Sequence, residues 1–450
     1  MAPRPIQILA TGTALPPVAD ADAWAARAGM TAAELHACAG VRQRHAVRTE
    51  TATDLGAAAA RAALDAAGLD AAGLDLVLGA CGSRAQPLPG PAALVHRALG
   101  LGETGIPAFD VDSTCLSFVT ALDVAAMWVA SGRARHVLVV SAEVATAAVD
   151  WSHPESAALF GDGAAAAVLG PAAGIADGRI AYAIADGSAN GIANGEAHAY
   201  RTNPPLPEGE GRGDGSLADG SADGSADGSA DGSADGGTPR QDVDSRFRGN
   251  DGTRVESGNR PESAAARAAG ITDACADGRA AGIADGIADG IADGRAAGSA
   301  VLAARHETYS LAADLCRVRG GGTALPPSSP AATPRDFLFE MDGPRLFRLA
   351  AEALPAFARR LCADAGLALD DVDVVVPHQA SAATLRLLGR RLGVADRIVS
   401  IVETHGNCIA ASIPLALDHA IGTGRLQRGQ TALLIGTSAG VSLGGLVLRY

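Results

Sequence analysis

Lysine is absent from this chain of 450 residues, because all 36 of its basic residues are arginine. The absence excludes enzymes that need a lysine amine or ammonium, among them P-loop nucleotide-binding proteins, Schiff-base enzymes and pyridoxal-phosphate enzymes. Positive charge is also scarce, since 50 acidic residues give a formal net charge of −14. A nucleic-acid-binding surface needs a basic footprint, so we expect no nucleic-acid partner.

Cysteine pairs of the C-x-x-C kind are missing as well. The 7 cysteines are scattered and odd in number, which predicts reduced thiols and a cytoplasmic protein. We find no N-terminal targeting segment, because Pro16 and Pro17 end the first apolar stretch. The apolar stretch at 431–448 is long enough to suggest a membrane span. Glycines interrupt it, so we interpret it as two buried strands joined by a glycine turn and expect no membrane partner.

Large apolar residues are rare between residues 171 and 298. Residues 211–300 carry 14 Asp and 2 Glu against 9 Arg, a net charge of −7, and Ser-Ala-Asp-Gly repeats in tandem. Such a segment buries too little apolar surface to offset its ordering entropy, which predicts disorder. Calcium binding is a weaker alternative, because the repeats lack the nonapeptide calcium-binding pattern. We therefore predict a folded half at 1–170, a low-complexity insert at 171–298 and a second folded half at 299–450.

Outside the insert, short apolar strands alternate with alanine-rich helical stretches, which is typical of an α/β protein. The pattern occurs once before the insert and once after it, so two similar βα halves are the simplest architecture. The predicted strands lie at 74–79, 108–111, 136–141, 164–169, 301–305, 372–376, 398–402 and 431–436. The predicted helices lie at 52–67, 116–131, 345–365, 381–392 and 409–422.

Three segments place reactive or polar residues directly after predicted strands, where α/β active sites usually lie. Cys115 precedes a helix whose N-terminus would favour the thiolate. A buried structural cysteine is the alternative. His378 lies in Pro-His-Gln-Ala and Asn407 in His-Gly-Asn, each after a predicted strand. Taken singly, His378 and His405 are more typical of core or turn histidines than of catalysts.

A possible nucleophile elbow occurs at residues 436–440, which read Gly-Thr-Ser-Ala-Gly and match the G-x-S-x-G pattern of α/β-hydrolases. That fold needs its acid and its histidine after the serine. No Asp, Glu or His follows Gly440. The hydrolase interpretation therefore fails on context.

Together these segments resemble the thiolase-fold condensing enzymes, and most closely β-ketoacyl-acyl-carrier-protein (ACP) synthase III. The resemblance is carried by Asp-Ser-Thr-Cys at 112–115, Phe-Gly-Asp-Gly-Ala at 160–164, Pro-His-Gln-Ala at 377–380, His-Gly-Asn at 405–407 and the glycine-rich hairpin around Gly440. These stretches occur in family order and span the 322 residues that remain when the insert is set aside.

The resemblance implies an acyltransferase of fatty-acid or polyketide-type biosynthesis. Cys115 would accept an acyl group from acyl-CoA or acyl-ACP, and decarboxylative Claisen condensation with malonyl-ACP would extend it. His378 and Asn407 would complete the catalytic site, and the N–H groups of Cys115 and Gly440 would form the oxyanion hole. The family implies no metal and no redox cofactor. Two alternatives stay open: a starter acyltransferase that does not condense, and a catalytically silent partner of an active paralogue.

The resemblance also implies a homodimer, in which the segment at 86–90 reaches into the neighbour's acyl tunnel. Leu88 would stand where the family has a primer-limiting Phe, and Phe160 would be a second residue of the acyl pocket. The family's clamp for the adenine of coenzyme A is missing, because the matching positions hold Glu34, Cys38 and Pro154. These departures leave open whether coenzyme A or ACP carries the acyl group.

The helix predicted after His378 carries three arginines: Arg386, Arg390 and Arg391. Arg386 and Arg390 are four residues apart and therefore share one face. On an otherwise acidic protein, this face predicts docking of an acidic acyl carrier protein by charge complementarity. A solvated helix face without a partner is the alternative.

Overall fold

The computed structural model describes residues 3–172 and 298–450, and nearly all of the predicted insert lies outside these ranges. The first range contains the strands β1 Ile6–Ala14, β2 Leu76–Gly79, β3 Ala108–Asp110, β4 Val137–Glu143 and β5 Gly163–Pro171. Its helices are α1 Ala21–Arg27, α2 Ala32–Ala39, α3 Ala52–Ala67, α4 Pro91–Ala98, α5 Ser117–Ala130 and α6 Pro154–Leu159.

The second range contains the strands β6 Ala300–Thr308, β7 Cys316–Val318, β8 Phe339–Met341, β9 Val374–Pro377, β10 Thr431–Ser438 and β11 Ser442–Arg449. Its helices are α7 Gly343–Asp364, α8 Ala382–Leu392, α9 Val402–His405 and α10 Ser412–Gly422.

Each range builds one main sheet, and the two sheets share a pattern. The first sheet has the order β1-β5-β4-β2-β3 and the second β6-β11-β10-β9. In the first, β5 is antiparallel to β1 and β4, and β4 continues into parallel β2 and β3. In the second, β11 is antiparallel to β6 and β10, and β10 is parallel to β9. The predicted α/β fold with two similar halves is confirmed.

Two apolar helices pack in the core that the sheets share. Helix α5 buries Phe118, Leu122 and Ala125 completely or nearly so, and α10 buries Ile413 and Leu417. Both helices belong to one core cluster with residues of β2 and β4 from the first sheet and of β9 and β10 from the second. A helix that is apolar around most of its circumference needs cover on both sides. Packing between two sheets supplies that cover, and it brings the ends of β3 and β9 to one site.

The sequence interpretation of 398–402 as a strand was wrong. Residue Ile398 makes only an isolated bridge to Val375. The buried side chain of Gln379 takes over the hydrogen bonds of the following backbone: Oε1 accepts from the N–H groups of Ile401 at 2.8 Å and Val402 at 3.1 Å. Its Nε2 donates to the carbonyl of Val399 at 3.1 Å. Hydrogen bonds to a side chain therefore replace those that a neighbouring strand would make. Helix α9 then begins at Val402.

The apolar C-terminal stretch forms the antiparallel pair of β10 and β11, with Thr431 opposite Arg449 and Ser438 opposite Ser442. The interpretation as two buried strands is confirmed. Among the residues that the structure describes, no helix has the length and apolar character to cross a membrane.

Candidate active site

Cys115 lies in a single 3-10 turn, Thr114–Leu116, between β3 and α5. Thr114 has a φ of +48°, and Ile409 and Val441 have φ values of +46° and +50°. Within residues 3–172 and 298–450 they are the only non-glycine residues in the left-handed region. All three are β-branched, for which this conformation is costly. Backbone strain of this kind concentrates at functional sites.

Two glycines allow close contact between the segments that carry Cys115, His378 and Asn407. A Cβ atom built on Gly82 would lie 2.6 Å from Cγ2 of Ile409 and 3.2 Å from the carbonyl carbon of Thr114. A Cβ atom built on Gly436 would lie 2.7 Å from Cβ of His378 and 3.3 Å from Cδ2 of Leu116. Because Thr114 and Leu116 flank Cys115, and Ile409 follows Asn407 by two positions, the three predicted site residues belong to one cluster.

Burial sets the ionisation of Cys115. Desolvation, with smaller contributions from nearby Cys316 and Glu143, raises the pKa of its thiol to about 12, while backbone N–H groups of Ala439 and of Cys115 itself oppose the shift. The residue as a whole keeps partial exposure, so it is the thiol end that faces the interior. The expectation that the helix N-terminus favours a thiolate is therefore wrong for the resting protein, because desolvation outweighs the dipole.

His378 follows β9 and is 6 % exposed. Its backbone N–H donates to the carbonyl of Ile435 on β10 at 2.8 Å, which fixes its position at the strand end. Burial lowers the pKa of its imidazole to about 4, so the ring is neutral at neutral pH. Within the described part of the chain, Nδ1 has no hydrogen-bond partner. The imidazole is therefore neutral, and no hydrogen bond at Nδ1 within that part fixes its protonated nitrogen.

Asn407 is held by both its backbone and its side chain. Its N–H donates to the carbonyl of Leu159 at 2.9 Å, and Oδ1 accepts from the N–H of Ile409 at 2.9 Å and from Oγ of Ser412 at 3.3 Å. With Oδ1 engaged, the NH₂ end of the amide is the group left for the site. Asn407 also bridges Phe160, which is buried and packs edge-on against Phe339 with ring centroids 5.0 Å apart.

Models of the family described as 3-oxoacyl-[acyl-carrier-protein] synthase III match residues 109–187, and those of its C-terminal domain match residues 362–450. The chain is 29 % identical over 413 residues to β-ketoacyl-[acyl-carrier-protein] synthase III of Thiobacillus denitrificans, covering 91 % of this chain and 88 % of the relative. The enzyme of that name from Rhizorhabdus wittichii is 28 % identical, with 98 % of each chain covered. The chain is a thiolase-fold condensing enzyme similar to these synthases.

Solved structures agree on the fold. The 3-oxoacyl-[acyl-carrier-protein] synthase III of Aquifex aeolicus aligns with a TM-score of 0.64 and 22 % identity over 99 % of this chain and all of its own. The enzyme from Pseudomonas aeruginosa has the same TM-score and 24 % identity over 99 % of this chain and 98 % of its own. The thiolase-like fold expected from the sequence motifs is confirmed, and the chain is an enzyme of the acyltransferase class.

A backbone N–H group in the turn between β10 and β11 acts on the Cys115 thiol. It is that of Ala439, and it opposes the rise in the pKa of the thiol. The next residue, Gly440, has a φ of +81°. The oxyanion hole formed with the Gly440 N–H stays a prediction, and the N–H of Ala439 is a second candidate beside it.

Two groups near the thiol were missed from the sequence. Glu143, which is 0 % exposed, ends β4, and the predicted strand stopped at residue 141. Cys316 begins β7, and burial raises the pKa of its thiol to about 11. No local motif marks either residue, since each reaches Cys115 only through the packing of distant segments. A carboxylate inside an apolar strand run was the one available signal for Glu143.

Residues predicted for binding lie at the surface of the single chain. Leu88 is 83 % exposed on the loop between β2 and α4. Arg386, Arg390 and Arg391 are exposed on α8, which begins shortly after His378. Pro154 is the first residue of α6, and Glu34 and Cys38 are exposed on α2.

Proposed function

We propose that this protein is a β-ketoacyl-ACP synthase III-like condensing enzyme that starts chains in fatty-acid or polyketide-type biosynthesis. It loads an acyl group on Cys115 and condenses it with malonyl-ACP. The observation that carries the proposal is the cluster of a thiol, a neutral imidazole and an oriented amide at the meeting point of the two halves. The matches to the synthase III models support the reaction class, and similar proteins carry that name.

In the loading step, sulfur of Cys115 attacks the thioester carbonyl of the donor, and the donor thiol leaves. A thiol with a pKa of about 12 is ionised in only about one molecule in 10⁵ at pH 7. Its proton therefore has to pass to the departing donor thiolate during the transfer, and we assign that relay to neutral His378, the imidazole of the same cluster. The N–H group of Cys115, together with that of Gly440 or Ala439, stabilises the oxyanion, each such donor being worth about 3 kcal/mol.

In the condensing step, the bond between the malonyl C2 and its carboxylate breaks and carbon dioxide leaves. The electron pair forms an enolate, whose oxygen accepts hydrogen bonds from His378 and from the NH₂ group of Asn407. The enolate carbon attacks the acyl carbonyl on Cys115, and the thiolate leaves and takes up one proton from solvent. These residues act as donors rather than as strong bases, which suits an imidazole whose pKa is lowered to about 4 by burial.

We further propose that the enzyme works as a cytoplasmic homodimer that receives acyl carrier protein. Leu88 is a large apolar side chain left 83 % exposed, and insertion into a neighbour's acyl pocket beside Phe160 would cover it. The exposed arginines of α8 offer an acidic carrier a positive face. Exposed Glu34 and Cys38, together with Pro154, support a donor held differently from a clamped acetyl-CoA.

The test is intact-mass spectrometry of the protein with acyl-CoA and acyl-ACP donors, followed by malonyl-ACP. We expect one acyl adduct, lost in Cys115→Ala and kept in the control Cys38→Ala, which removes an exposed thiol. We then expect carbon dioxide release and a product two carbons longer. An adduct without carbon dioxide release would favour the starter acyltransferase, and no adduct with any donor would favour a silent partner.

A further inference from the structure

The carboxylate of Glu143 ties together the backbone segments around Cys115. Oε1 accepts from the N–H of Gly82 at 2.5 Å, and Oε2 accepts from the N–H of Ser83 at 2.8 Å and from the Ser83 hydroxyl. The N–H of Ala410 donates to the same carboxylate. Every partner is a donor, which is the arrangement that a deprotonated carboxylate accepts.

These donors come from the segments that form the site. Gly82 lies against Thr114 and Ile409, the strained residues beside Cys115 and Asn407. Ala410 belongs to the turn that follows Asn407 and leads into α10. One buried side chain therefore joins the start of the 82–90 loop to the Asn407 turn, and both of these segments contact the nucleophile turn.

The burial of Glu143 is costly. The residue is 0 % exposed, and in the described part of the chain it forms no ion pair. A buried carboxylate without a cation is destabilising unless hydrogen bonds compensate for the lost hydration. Burial raises its pKa to about 8, so Glu143 carries its negative charge above that pH, which includes the range in which the Cys115 thiol titrates. The titratable groups that face it are the thiols of Cys81, Cys115 and Cys408; burial is the main cause that raises the pKa of each, and the charge of Glu143 adds to it.

We propose that Glu143 is a positioning residue of the condensing site, which fixes the 82–83 and 407–410 segments around Cys115 by hydrogen bonds and whose negative charge acts on the nucleophile. This inference rests on the proposed function for its kinetic consequence. The predicted effect of Glu143 on the pKa of the Cys115 thiol does not depend on that function. Alkylation of the thiol measures this effect without any acyl donor.

The experiment compares Glu143→Gln and Glu143→Asp in the full-length protein, with Glu103→Gln as a control at an exposed carboxylate. Iodoacetamide labelling of Cys115 is followed by peptide mass spectrometry as a function of pH. Glu143→Gln keeps the shape and removes the charge, so we expect the alkylation midpoint to fall by about one pH unit. Glu143→Asp keeps the charge, so its midpoint stays near that of the wild type.

Acyl loading supplies the second measurement. The NH₂ group of Gln faces N–H donors, and the shorter Asp does not reach them, so we expect loading to fall about tenfold to a hundredfold in both variants. Ser83→Ala removes only the hydroxyl contact and serves if Glu143→Gln does not fold; loading then falls less. A wild-type midpoint and loading rate in Glu143→Gln would overturn the inference. Wild-type protein that alkylates normally but accepts no acyl group would instead overturn the proposed function.

Discussion

A single added methyl group at Gly436 should displace His378. Strand β10 runs beside β9, and the Cβ of an alanine at this position would lie 2.7 Å from Cβ of His378. Carbon atoms in contact normally stay about 3.5–4.0 Å apart. The two atoms must therefore separate by about 1 Å, and because a Cβ atom cannot rotate away, the strand backbones have to move.

The cost follows from that displacement. Forcing a methyl group into a filled core costs about 1–3 kcal/mol, which for a domain of this size lowers Tm by a few degrees. A shift of about 1 Å in a catalytic group can lower the rate about a hundredfold. We therefore expect Gly436→Ala to fold, to melt slightly earlier and to lose far more condensing activity than stability.

Thermal melting and carbon dioxide release from malonyl-ACP measure the two effects side by side. The control is Gly102→Ala, since a Cβ at Gly102 meets no atom within 4 Å and no left-handed φ forbids it. We expect the control to match the wild type in both measurements. If Gly436→Ala also matched the wild type within twofold in rate and without a change in Tm, the placement of His378 against β10 would be refuted.

Four other variants test separate parts of the structure. Nη1 of Arg44 donates to the carbonyls of both Ala157 at 3.0 Å and Phe160 at 3.2 Å. The side chain of Lys is shorter and its nitrogen stops short of these oxygens, so Arg44→Lys should lower the free energy of unfolding by about 2 kcal/mol in urea titrations; an unchanged midpoint contradicts this. The pKa of His378 is about 4 in the folded protein and about 6.5 in the unfolded chain, so the free energy of unfolding should fall by up to about 3 kcal/mol as the pH drops from 6.5 to 4. His378→Gln should show a smaller fall, and equal losses in the two proteins would rule out His378 as the cause. Pro171 pairs with Ile6, and Val301 pairs with Arg4, two positions before Ile6 in the chain, so the residues that flank the 173–297 segment lie close together. A short Gly-Ser linker in place of 173–297 should therefore preserve Tm and activity. Insoluble protein would mean that the replaced residues support the core. Leu88→Phe should shorten the longest acyl chain accepted with little effect on acetyl transfer, and an unchanged length profile would remove Leu88 from the acyl pocket.

The parts of the fold with strong local signals were predictable. Helix α3 begins at Ala52 and ends at Ala67 as expected, because a capping box of Thr51 and Asp54 marks its start and Gly68, with a φ of +63°, marks its end. Cys115, His378 and Asn407 were identifiable because each is embedded in a short motif after an apolar segment. Local signals suffice where the cause of a structure is itself local.

The missed features have non-local causes. The strand expected at 398–402 is replaced by hydrogen bonds to Gln379, a partner about 20 residues away along the chain. Glu143 meets Gly82 and Ser83 across 61 and 60 residues. The raised pKa of the Cys115 thiol follows from burial. The expectation that a helix N-terminus lowers a thiol pKa takes no account of burial. Sequence patterns predict which elements form, whereas the state of the site depends on how distant elements pack.

The candidate active site takes its residues from both halves of the chain, and this determines how the protein responds to a cut in the backbone between them. Cys115 lies in the first range and His378 and Asn407 in the second, and only residues 173–297 connect them covalently. In space, one apolar core containing α5 and α10 holds the ranges together. Noncovalent packing, rather than chain continuity, therefore keeps the nucleophile beside its partners. A protease cut within 173–297 would leave two associated fragments, so disappearance of the intact chain on a gel would not by itself signal inactivation. Two co-expressed polypeptides would likewise assemble one working site.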